Sequence, residues 1–256
     1  MGALAPGNRA LVTGAARGIG LAICHRLRAM GLEPIPVDLP GEMLEQARAE
    51  FGTVEAVDVA DWAQMEALAA RVGPIDLLVN NAATRAGRGF DAPLEAWQAA
   101  MDVNFFGIVH GVRAFLPGMQ TRGSGAIVAV GSKQGITNPP GHPIYNASKA
   151  ALKSYAEGLA HDLIGSGVSV HLLIPGFTKE AGPEAFPGAW SPDQVAEAMV
   201  SGVAAGDFYI LCPDNEVTTE MDHKRIRWAA GDITENRPPL SRWHPDHKEV
   251  AAKACS

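Results

Sequence analysis

The residues best placed to do chemistry are Tyr145 and Lys149, in the run Tyr-Asn-Ala-Ser-Lys, with Ser132 thirteen residues before Tyr145. If a helix begins near Pro143, Tyr145 and Lys149 lie on one face of it, one turn apart. A phenol is a poor base at neutral pH, and an ammonium one turn away favours its phenolate. A strand over 125–131 would bring the Ser132 hydroxyl to the same substrate oxygen. The pattern predicts proton transfer at an alcohol or carbonyl oxygen; an ordinary surface helix is the plain alternative.

The elements that must position these residues alternate between short apolar runs and helical patterns, which predicts an α/β fold. The expected strands are Arg9–Thr13, Glu33–Asp38, Thr53–Val57, Ile75–Val79, 125–131, Val168–Ile174 and Asp207–Leu211. The expected helices are Leu21–Met30, Glu42–Glu50, Asp61–Val72, Pro93–Gln120, one from Pro143, Pro192–Ala205 and Glu216–Ala230. The long helix is expected to bend near Gly107 and to end around Pro117, and 237–245 is expected to be irregular.

Length and composition indicate a single domain over 1–256, because 47% of the 256 residues are hydrophobic. A net charge of −7, spread along the sequence, argues against nucleic acid or an anionic membrane as the main partner. No apolar run approaches the roughly 20 residues of a membrane helix, and no signal peptide is evident. The scattered Cys24, Cys212 and Cys255 suit neither a metal site nor a disulfide framework, so a cytoplasmic location is expected.

A glycine-rich turn follows the first strand, with Gly14, Gly18 and Gly20 just before the first helix. Glycines let the backbone turn sharply and approach a ligand, and the helix behind them offers unpaired N–H groups to a pyrophosphate. Tight turns between a strand and a helix also use glycine for steric reasons alone. The strand before the turn, the helix after it and an acid further on favour a dinucleotide.

That acid is Asp38, at the end of the second strand and 18 residues after Gly20. A carboxylate there accepts hydrogen bonds from an adenosine ribose and repels the additional phosphate of NADP. Arg17 would instead contact that phosphate, and Asp38 could equally be a helix cap or a solvated loop charge. We weigh Asp38 more heavily, so NAD(H) is favoured over NADP(H). Asp58, after the third strand, could meet the adenine amino group or help to start the next helix.

Interior amides are expected to support this site. Asn80-Asn81 follows the fourth strand, where amides can tie neighbouring strand ends together, and the small Ala82-Ala83 leaves room for a ribose. Asn104 lies in the apolar stripe of the long helix and needs a partner. A water chain from Lys149 to solvent and a satisfied core amide are equally good explanations of Asn104.

The order and spacing of these motifs resemble the short-chain dehydrogenase/reductase family over roughly residues 8–211. The segments that carry the resemblance are Thr13-Gly14-Ala15-Ala16-Arg17-Gly18-Ile19-Gly20, Asn80-Asn81-Ala82, Asn104, Ser132, Tyr145-Asn146-Ala147-Ser148-Lys149 and Pro175-Gly176-Phe177-Thr178. The family implies a Rossmann-type, doubly wound sheet of seven parallel strands in the order 3-2-1-4-5-6-7. It also implies helices on both faces and a nicotinamide cofactor across the carboxyl ends of the strands.

The resemblance implies a role for each of these residues. Tyr145 would be the general acid and base, Ser132 would hold the reacting oxygen, and Lys149 would stabilise the phenolate and bind the nicotinamide ribose. Asn104 would hold the water of a proton relay. The residues expected to contact the cofactor are Gly14, Arg17, Gly18, Ile19, Gly20, Asp38, Asp58, Val59, Asn81, Ala82, Ala83, Tyr145, Lys149, Pro175, Gly176 and Thr178.

The chain departs from the family pattern in two places. The usual Asn-Asn-Ala-Gly ends here in Ala83, and no Asp-Gly-Gly follows the expected seventh strand. An extension over 212–256 holds two tryptophans, which a partner subunit could cover. We expect a homo-oligomer, either a tetramer or a dimer.

The substrate is expected to bind between the loops after the fourth, fifth and sixth strands. Candidate contact residues are Thr84, Arg85, Ser132, Lys133, Gln134, Asn138, His142, Phe177, Phe186 and Trp190. The run Gly182–Pro192 suggests a lid whose aromatic residues suit an apolar or aromatic substrate, whereas His142 is more typical of a solvated turn. The leading hypothesis is an NAD(H)-dependent oxidoreductase that interconverts a secondary alcohol and a ketone. The alternatives are an NADPH-dependent 3-oxoacyl reductase and a non-catalytic NAD-binding protein.

Overall fold

The computed structural model describes residues 2–179, 188–214 and 216–256, and these form one parallel sheet of seven strands in the order β3-β2-β1-β4-β5-β6-β7. The strands are β1 Arg9–Thr13, β2 Glu33–Asp38, β3 Glu55–Ala56, β4 Leu77–Asn80, β5 Gly125–Val130, β6 Val168–Ile174 and β7 Tyr209–Leu211. The central strands are almost wholly buried, as apolar strands of a parallel sheet covered on both faces must be. The predicted fold class and strand order are confirmed.

Helices cover both faces of this sheet. In chain order they are α1 Gly18–Ala29, α2 Glu42–Phe51, α3 Trp62–Val72, α4 Leu94–Met101, α5 Gly107–Arg122, α6 Gln134–Thr137, α7 Pro143–Asp162, α8 Pro192–Ala205, α9 Thr219–Thr234 and α10 Lys248–Cys255. Alternate β1 residues point to opposite faces, so Val12 packs with α1 and α8 while Leu11 packs with α3 and α5. Among the described residues, no helix is long and apolar enough to cross a membrane.

The long helix departs from expectation at its carboxyl end. A π-helical turn over Asp102–Phe106 joins α4 to α5 just before Gly107, and α5 continues past Pro117 to Arg122. A proline inside a helix removes one hydrogen bond, but Phe115 and Met119 on either side of it are buried in the same core. Packing therefore keeps the helix intact until Gly123, whose φ of 64° ends it.

The carboxyl extension is more ordered than the sequence predicts. A 3-10 turn at Ser241–Trp243 and the helix α10 occupy chain that was expected to be irregular or was left unassigned. Polar contacts hold the turn: Trp228 Nε1 donates to Ser241 Oγ at 2.7 Å, and Asp232 accepts from the Ser241 amide at 3.0 Å. Hydrophobic periodicity cannot reveal such contacts. The extension packs on its own chain, where α9 lies against α6.

Candidate active site

A groove of about 620 Å³ runs along the carboxyl ends of the strands, where the strand order reverses between β1 and β4. Every residue that the sequence predicts to contact the cofactor lines this groove, with the exception of Gly20. Ser132, which follows β5, lines it as well. The topology thus brings together residues that are far apart in the chain.

The glycine turn is shaped by a close approach between β1 and β4. Gly14 has a φ of +63°, and a Cβ added there would lie 2.7 Å from Ala82 Cα. A Cβ at Gly20 would lie 2.3 Å from the Gly14 carbonyl oxygen, so Gly20 permits packing beneath the turn. Asn81 Nδ2 donates to the carbonyls of Thr13 and Gly14, both at 2.9 Å. Asn81 therefore has the scaffold role that its position predicts.

Asp38 is fixed at the end of β2 by two backbone amides. Its Oδ2 accepts from Ala16 N and its Oδ1 from Leu39 N, each at 2.8 Å. A carboxylate has about four acceptor positions, so it can still accept from ribose hydroxyls. Arg17 is exposed and lines the same groove. Both side chains that bear on the choice between NAD and NADP are thus at the groove.

Asp58 and Val59 line the groove after β3, and Asp58 does not cap the next helix. The α3 cap is Asp61, whose side chain accepts from Gln64 N at 3.1 Å. Asp58 Oδ1 instead accepts from Ala60 N at 2.9 Å. Asp58 therefore shapes the turn that precedes α3 without capping the helix, and its contact with the adenine stays a prediction.

Tyr145 and Lys149 lie on one face of α7, as their spacing predicts, and both line the groove. Lys149 Nζ lies 5.8 Å from the centre of the Tyr145 ring and donates to the Val130 carbonyl at 2.7 Å. Ser132 Oγ accepts from Gln134 N at 3.1 Å, which orients the hydroxyl side chain after β5. This arrangement can hold an oxygen and exchange a proton with it.

Lys149 is buried without a carboxylate partner among the described residues, its exposed fraction being 2%. Burial, and to a lesser degree the positive charge of Arg85, lower the pKa of Lys149 from 10.5 to about 7. Arg85 Cζ lies 4.8 Å from the centre of the Tyr145 ring. Arg85, a predicted substrate contact in the loop after β4, therefore lies beside both residues of α7.

Asn104 is fully buried in the π-helical turn, and its side chain is engaged at both ends. Its Oδ1 accepts from Thr84 N at 2.7 Å, while its Nδ2 donates to Thr84 O and to Ser148 Oγ, each at 3.0 Å. These contacts tie the loop after β4 to α7. They match the alternative of a satisfied core amide, and the relay role of Asn104 stays a prediction.

A second cavity, of about 180 Å³, lies on the other side of Ser132. Arg85, Ser132 and Gly176 line both spaces, so the cavity adjoins the groove where a substrate carbon would meet a cofactor. The extension closes it with six side chains: Asp214, Asp222, Arg225, Ile226, Arg242 and Trp243. The apolar residues Met221, Ile226 and Trp228 of α9 are the sequence signal that this segment packs inward.

Lys133 joins the cavity to the extension. Its Nζ lies 3.2 Å from Asp214 Oδ2 and 2.6 Å from Asp222 Oδ2, and all three side chains are largely buried. Burial raises the pKa of Asp214, and the charge of Lys133 opposes that rise. A paired cation of this kind holds α9 against the turn that carries Ser132.

The predicted substrate residues lie in different places. Ser132 and Arg85 line both the cavity and the groove, Thr84 lines the groove, and the cavity is also lined by Lys133, Gln134 and Phe177. Gln134 Oε1 is buried without a hydrogen-bond partner among the described residues. His142 and Trp190 line neither the cavity nor the groove: His142 precedes α7, and Trp190 N donates to Phe177 O at 2.9 Å while its ring packs against the core. Phe186 and most of the expected lid lie outside the described residues.

These features fit a nicotinamide dinucleotide. At the middle of the groove, after β1, no side chain of the described residues caps the first turn of α1, so its N–H groups face the glycine turn and can bind phosphate. At the end after β6, Thr178 Oγ1 is buried and has no hydrogen-bond partner among the described residues. Unmet donors and acceptors at these two places suit a long ligand with a charged middle and polar ends.

Comparison with known proteins gives the same family. The model of the short chain dehydrogenase family matches residues 8–184. The chain belongs to the short-chain dehydrogenase/reductase family. As a member, it is an oxidoreductase whose fold binds a nicotinamide cofactor.

Three similar proteins show the range of this family around the chain. Galactitol 2-dehydrogenase (L-tagatose-forming) of Cereibacter sphaeroides is 38% identical over 181 residues, 67% of this chain and 71% of that protein. Ketoacyl reductase HetN of Nostoc sp. is 28% identical over 247 residues, 89% of this chain and 85% of that protein. A short-chain dehydrogenase/reductase from Burkholderia phymatum, solved in complex with NAD, has a TM-score of 0.80 at 30% identity, covering 91% of this chain and 96% of that chain.

Proposed function

We propose that this short-chain dehydrogenase/reductase is NAD(H)-dependent and interconverts a secondary alcohol and a ketone. The observation that carries the proposal is that Tyr145 and Lys149 share a face of α7 at the groove, while Ser132 lines both the groove and the cavity. A substrate in the cavity would present its oxygen to these three side chains. The similarity of this chain to a galactitol 2-dehydrogenase supports an alcohol as the substrate.

The residues divide the work of moving one proton. In alcohol oxidation, Ser132 holds the substrate hydroxyl and the Tyr145 phenolate accepts its proton. Lys149 stabilises that phenolate, and its own lowered pKa of about 7 makes its proton exchangeable at neutral pH. When bound, the nicotinamide would accept the hydride from the carbon that carries the substrate hydroxyl. Ketone reduction runs each transfer in reverse.

The preference for NAD(H) rests on Asp38. Its carboxylate is held at the groove by Ala16 N and Leu39 N and would lie against the adenosine ribose. A phosphate on that ribose would meet a fixed negative charge. Arg17 opposes this preference, so the proposal depends on Asp38 having the larger effect.

An NADPH-dependent 3-oxoacyl reductase is the second candidate. Arg17 at the groove and the similarity to ketoacyl reductase HetN favour it. The cavity of about 180 Å³ leaves little space for an acyl chain, and the net charge of −7 suits an acidic carrier protein poorly. A non-catalytic NAD-binding protein is the third candidate, and the complete set of proton-transfer residues counts against it.

Cofactor binding and turnover together test these candidates. The purified protein is titrated with NADH and with NADPH, following nicotinamide fluorescence, and then assayed on a panel of secondary alcohols and ketones. Tighter NADH binding with turnover is the expected result. Tighter NADPH binding with 3-oxoacyl turnover would favour the second candidate. NADH binding without turnover of any substrate would leave the third.

We also propose that the protein acts in the cytoplasm as a homo-oligomer, a dimer or a tetramer, on a small-molecule substrate without nucleic-acid or membrane partners. The negative net charge supports the absence of nucleic-acid and membrane partners. Phe90 and Leu94 are 87% and 80% exposed, and such apolar side chains suit a contact between subunits. Size-exclusion chromatography with light scattering measures the oligomeric state, and a monomer would contradict this part of the proposal.

A further inference from the structure

The cavity beside Ser132 is positively charged in a protein that is negatively charged overall. Its ionisable lining side chains are four cations and two carboxylates: Arg85, Lys133, Arg225, Arg242, Asp214 and Asp222. Their formal charge is therefore +2, whereas the whole chain carries −7. Lys133 contacts both carboxylates, at 3.2 Å and 2.6 Å, so the uncompensated charge belongs to the arginines.

Arg225 and Arg242, both from the extension, make few contacts of their own. Arg225 Nε is buried, and no described residue forms a hydrogen bond with it. Neither guanidinium forms an ion pair with another described residue, although Arg242 lies near Asp222. Arg242 Cζ is 4.8 Å from the ring of Trp243, its neighbour in the chain, so this contact joins no separate elements.

Arg237, in the same extension, shows the contacts of a structural arginine. Its Nε donates to Asp232 Oδ1 at 3.0 Å, and its second terminal nitrogen donates to the Trp228 carbonyl at 2.5 Å. Its Cζ also lies 4.0 Å from the Trp228 ring. Arg237 thus holds the segment after α9 in place. Arg225 and Arg242 lack such contacts, so they do not have this structural role.

The two cavity arginines also repel each other. Burial first, and then the charge of Arg225, lower the pKa of Arg242 from its ordinary value. Arginine nevertheless stays protonated in proteins, so the cavity holds both charges. An anion between them would offset this repulsion and give Arg225 Nε an acceptor. A carboxylate matches a guanidinium well, because its two oxygens can accept two parallel hydrogen bonds.

The size of the cavity limits the rest of the ligand. An apolar cavity of about 150 Å³ can hold benzene, so about 180 Å³ accommodates a molecule only slightly larger. One end of such a molecule reaches Ser132, and the other end meets the extension.

We propose that the substrate is a short hydroxy acid or keto acid whose carboxylate binds between Arg225 and Arg242 while its reacting oxygen lies at Ser132. This proposal rests on the function proposed above and names its substrate class. The carboxylate takes part in no bond-making step. Its recognition orients the reacting carbon towards the groove.

Turnover of matched acids and amides tests this proposal. The wild-type kcat/KM for lactate or 3-hydroxybutyrate should exceed that for lactamide or 3-hydroxybutyramide by about 10²-fold, since a hydrogen bond to a charged group is worth that much. In Arg225→Gln and in Arg242→Gln, the value for the acids should fall by about 10- to 100-fold, mainly through KM. The value for the amides should stay within about twofold in each variant. Arg227→Gln is the control, because Arg227 is exposed on the same helix and does not line the cavity.

Thermal unfolding in the presence of 3-hydroxybutyrate gives a readout that needs no turnover. The acid should raise the Tm of the wild type and of Arg227→Gln, but not that of the two cavity variants. Removing one of two like charges should itself leave the Tm unchanged or raise it, which separates lost binding from misfolding. Arg225→Lys keeps the charge and should keep part of the preference for acids.

The outcomes separate this proposal from the one on which it rests. Amides that react as well as acids, with no effect of either cavity variant, would overturn the anion site and leave the alcohol–ketone reaction standing. A protein that binds NADH and converts no alcohol or ketone would overturn the reaction. In that case a Tm shift that depends on Arg225 and Arg242 supports the anion site, and a shift that does not depend on them overturns it.

Discussion

The two sides of Ser132 bury lysines in opposite electrostatic settings. On the groove side, Lys149 is 2% exposed and its ammonium donates to a backbone carbonyl. On the cavity side, Lys133 lies between the carboxylates of Asp214 and Asp222. The unpaired lysine has a pKa lowered to about 7, so its proton is available near neutral pH. The paired lysine holds two segments together, so the comparison separates a lysine suited to chemistry from one suited to architecture.

Removing the Tyr145 hydroxyl tests the groove side most severely. In Tyr145→Phe we expect kcat to fall by about 10³-fold, because the general acid and base is lost. NADH affinity should stay within about twofold of the wild type, measured by nicotinamide fluorescence. Tyr155→Phe, a change on the same helix away from the groove, is the control and should react normally. Near-normal turnover by Tyr145→Phe would remove this residue from the mechanism.

Lys149→Met should lower kcat by at least about 10²-fold and change the pH dependence of stability. The folded protein gives up the Lys149 proton near pH 7, whereas an unfolded lysine keeps it to about pH 10.4. The unfolded state therefore binds more protons in this window, and the free energy of unfolding rises with pH across it.

Denaturant titrations across this pH window measure that rise. Lys149→Met should show a smaller rise than the wild type. Lys153→Met is the control, because Lys153 is half-exposed on the same helix and paired with Glu157 at 2.6 Å. Equal pH slopes in the wild type and in Lys149→Met would mean that burial does not perturb Lys149.

Lys133→Met tests the cavity side. The change leaves Asp214 and Asp222 without their cation, and breaking a buried ion pair in this way costs about 3 kcal/mol of unfolding free energy. Lys224→Met removes an exposed pair with Glu220, at 3.4 Å, and should cost under about 1 kcal/mol. Urea midpoints of the two variants give the comparison. Similar midpoints would show that the buried pairing contributes no more than a surface pair.

Asp38→Ala is expected to have the smallest effect and concerns the groove alone. Without the carboxylate, the ratio of NADPH to NADH affinity should rise by about tenfold, since one fixed charge near the ribose is lost. Arg17→Ala should shift the ratio the other way. Fluorescence titration with both cofactors measures each change. An unchanged ratio of NADPH to NADH affinity in Asp38→Ala would mean that other contacts determine the cofactor preference.

Most of the groove could be predicted from the sequence, because its signals are local. The i, i+4 spacing of Tyr145 and Lys149, the glycine turn after β1 and the acid at the end of β2 each depend on short stretches of chain. The parallel order of the strands then brings their carboxyl ends together. Side-chain direction is less predictable: His142 and Trp190 belong to the expected loops but line neither space.

The part of the cavity that the extension forms could not be predicted, because its contacts join distant residues. Lys133 and Asp214 are 81 positions apart, and no periodic pattern links them. The order of the extension depends on polar contacts at Ser241 and Asp232, which hydrophobic patterning does not report. The continuation of α5 past Pro117 likewise depends on packing in the core.

The hydrogen bonds around Ser241 hold the extension together largely through its own residues. Trp228, Asp232, Arg237 and Ser241 bond to one another, and this cluster lies between Arg225 and Arg242 in the sequence. The spacing of the two arginines is therefore set within the extension, independently of the sheet that carries the cofactor residues. Substrate charge and cofactor choice can then evolve separately. Grafting onto residues 2–211 a different carboxyl segment that keeps carboxylates to pair with Lys133 would be a route to new substrates with the cofactor site left unaltered.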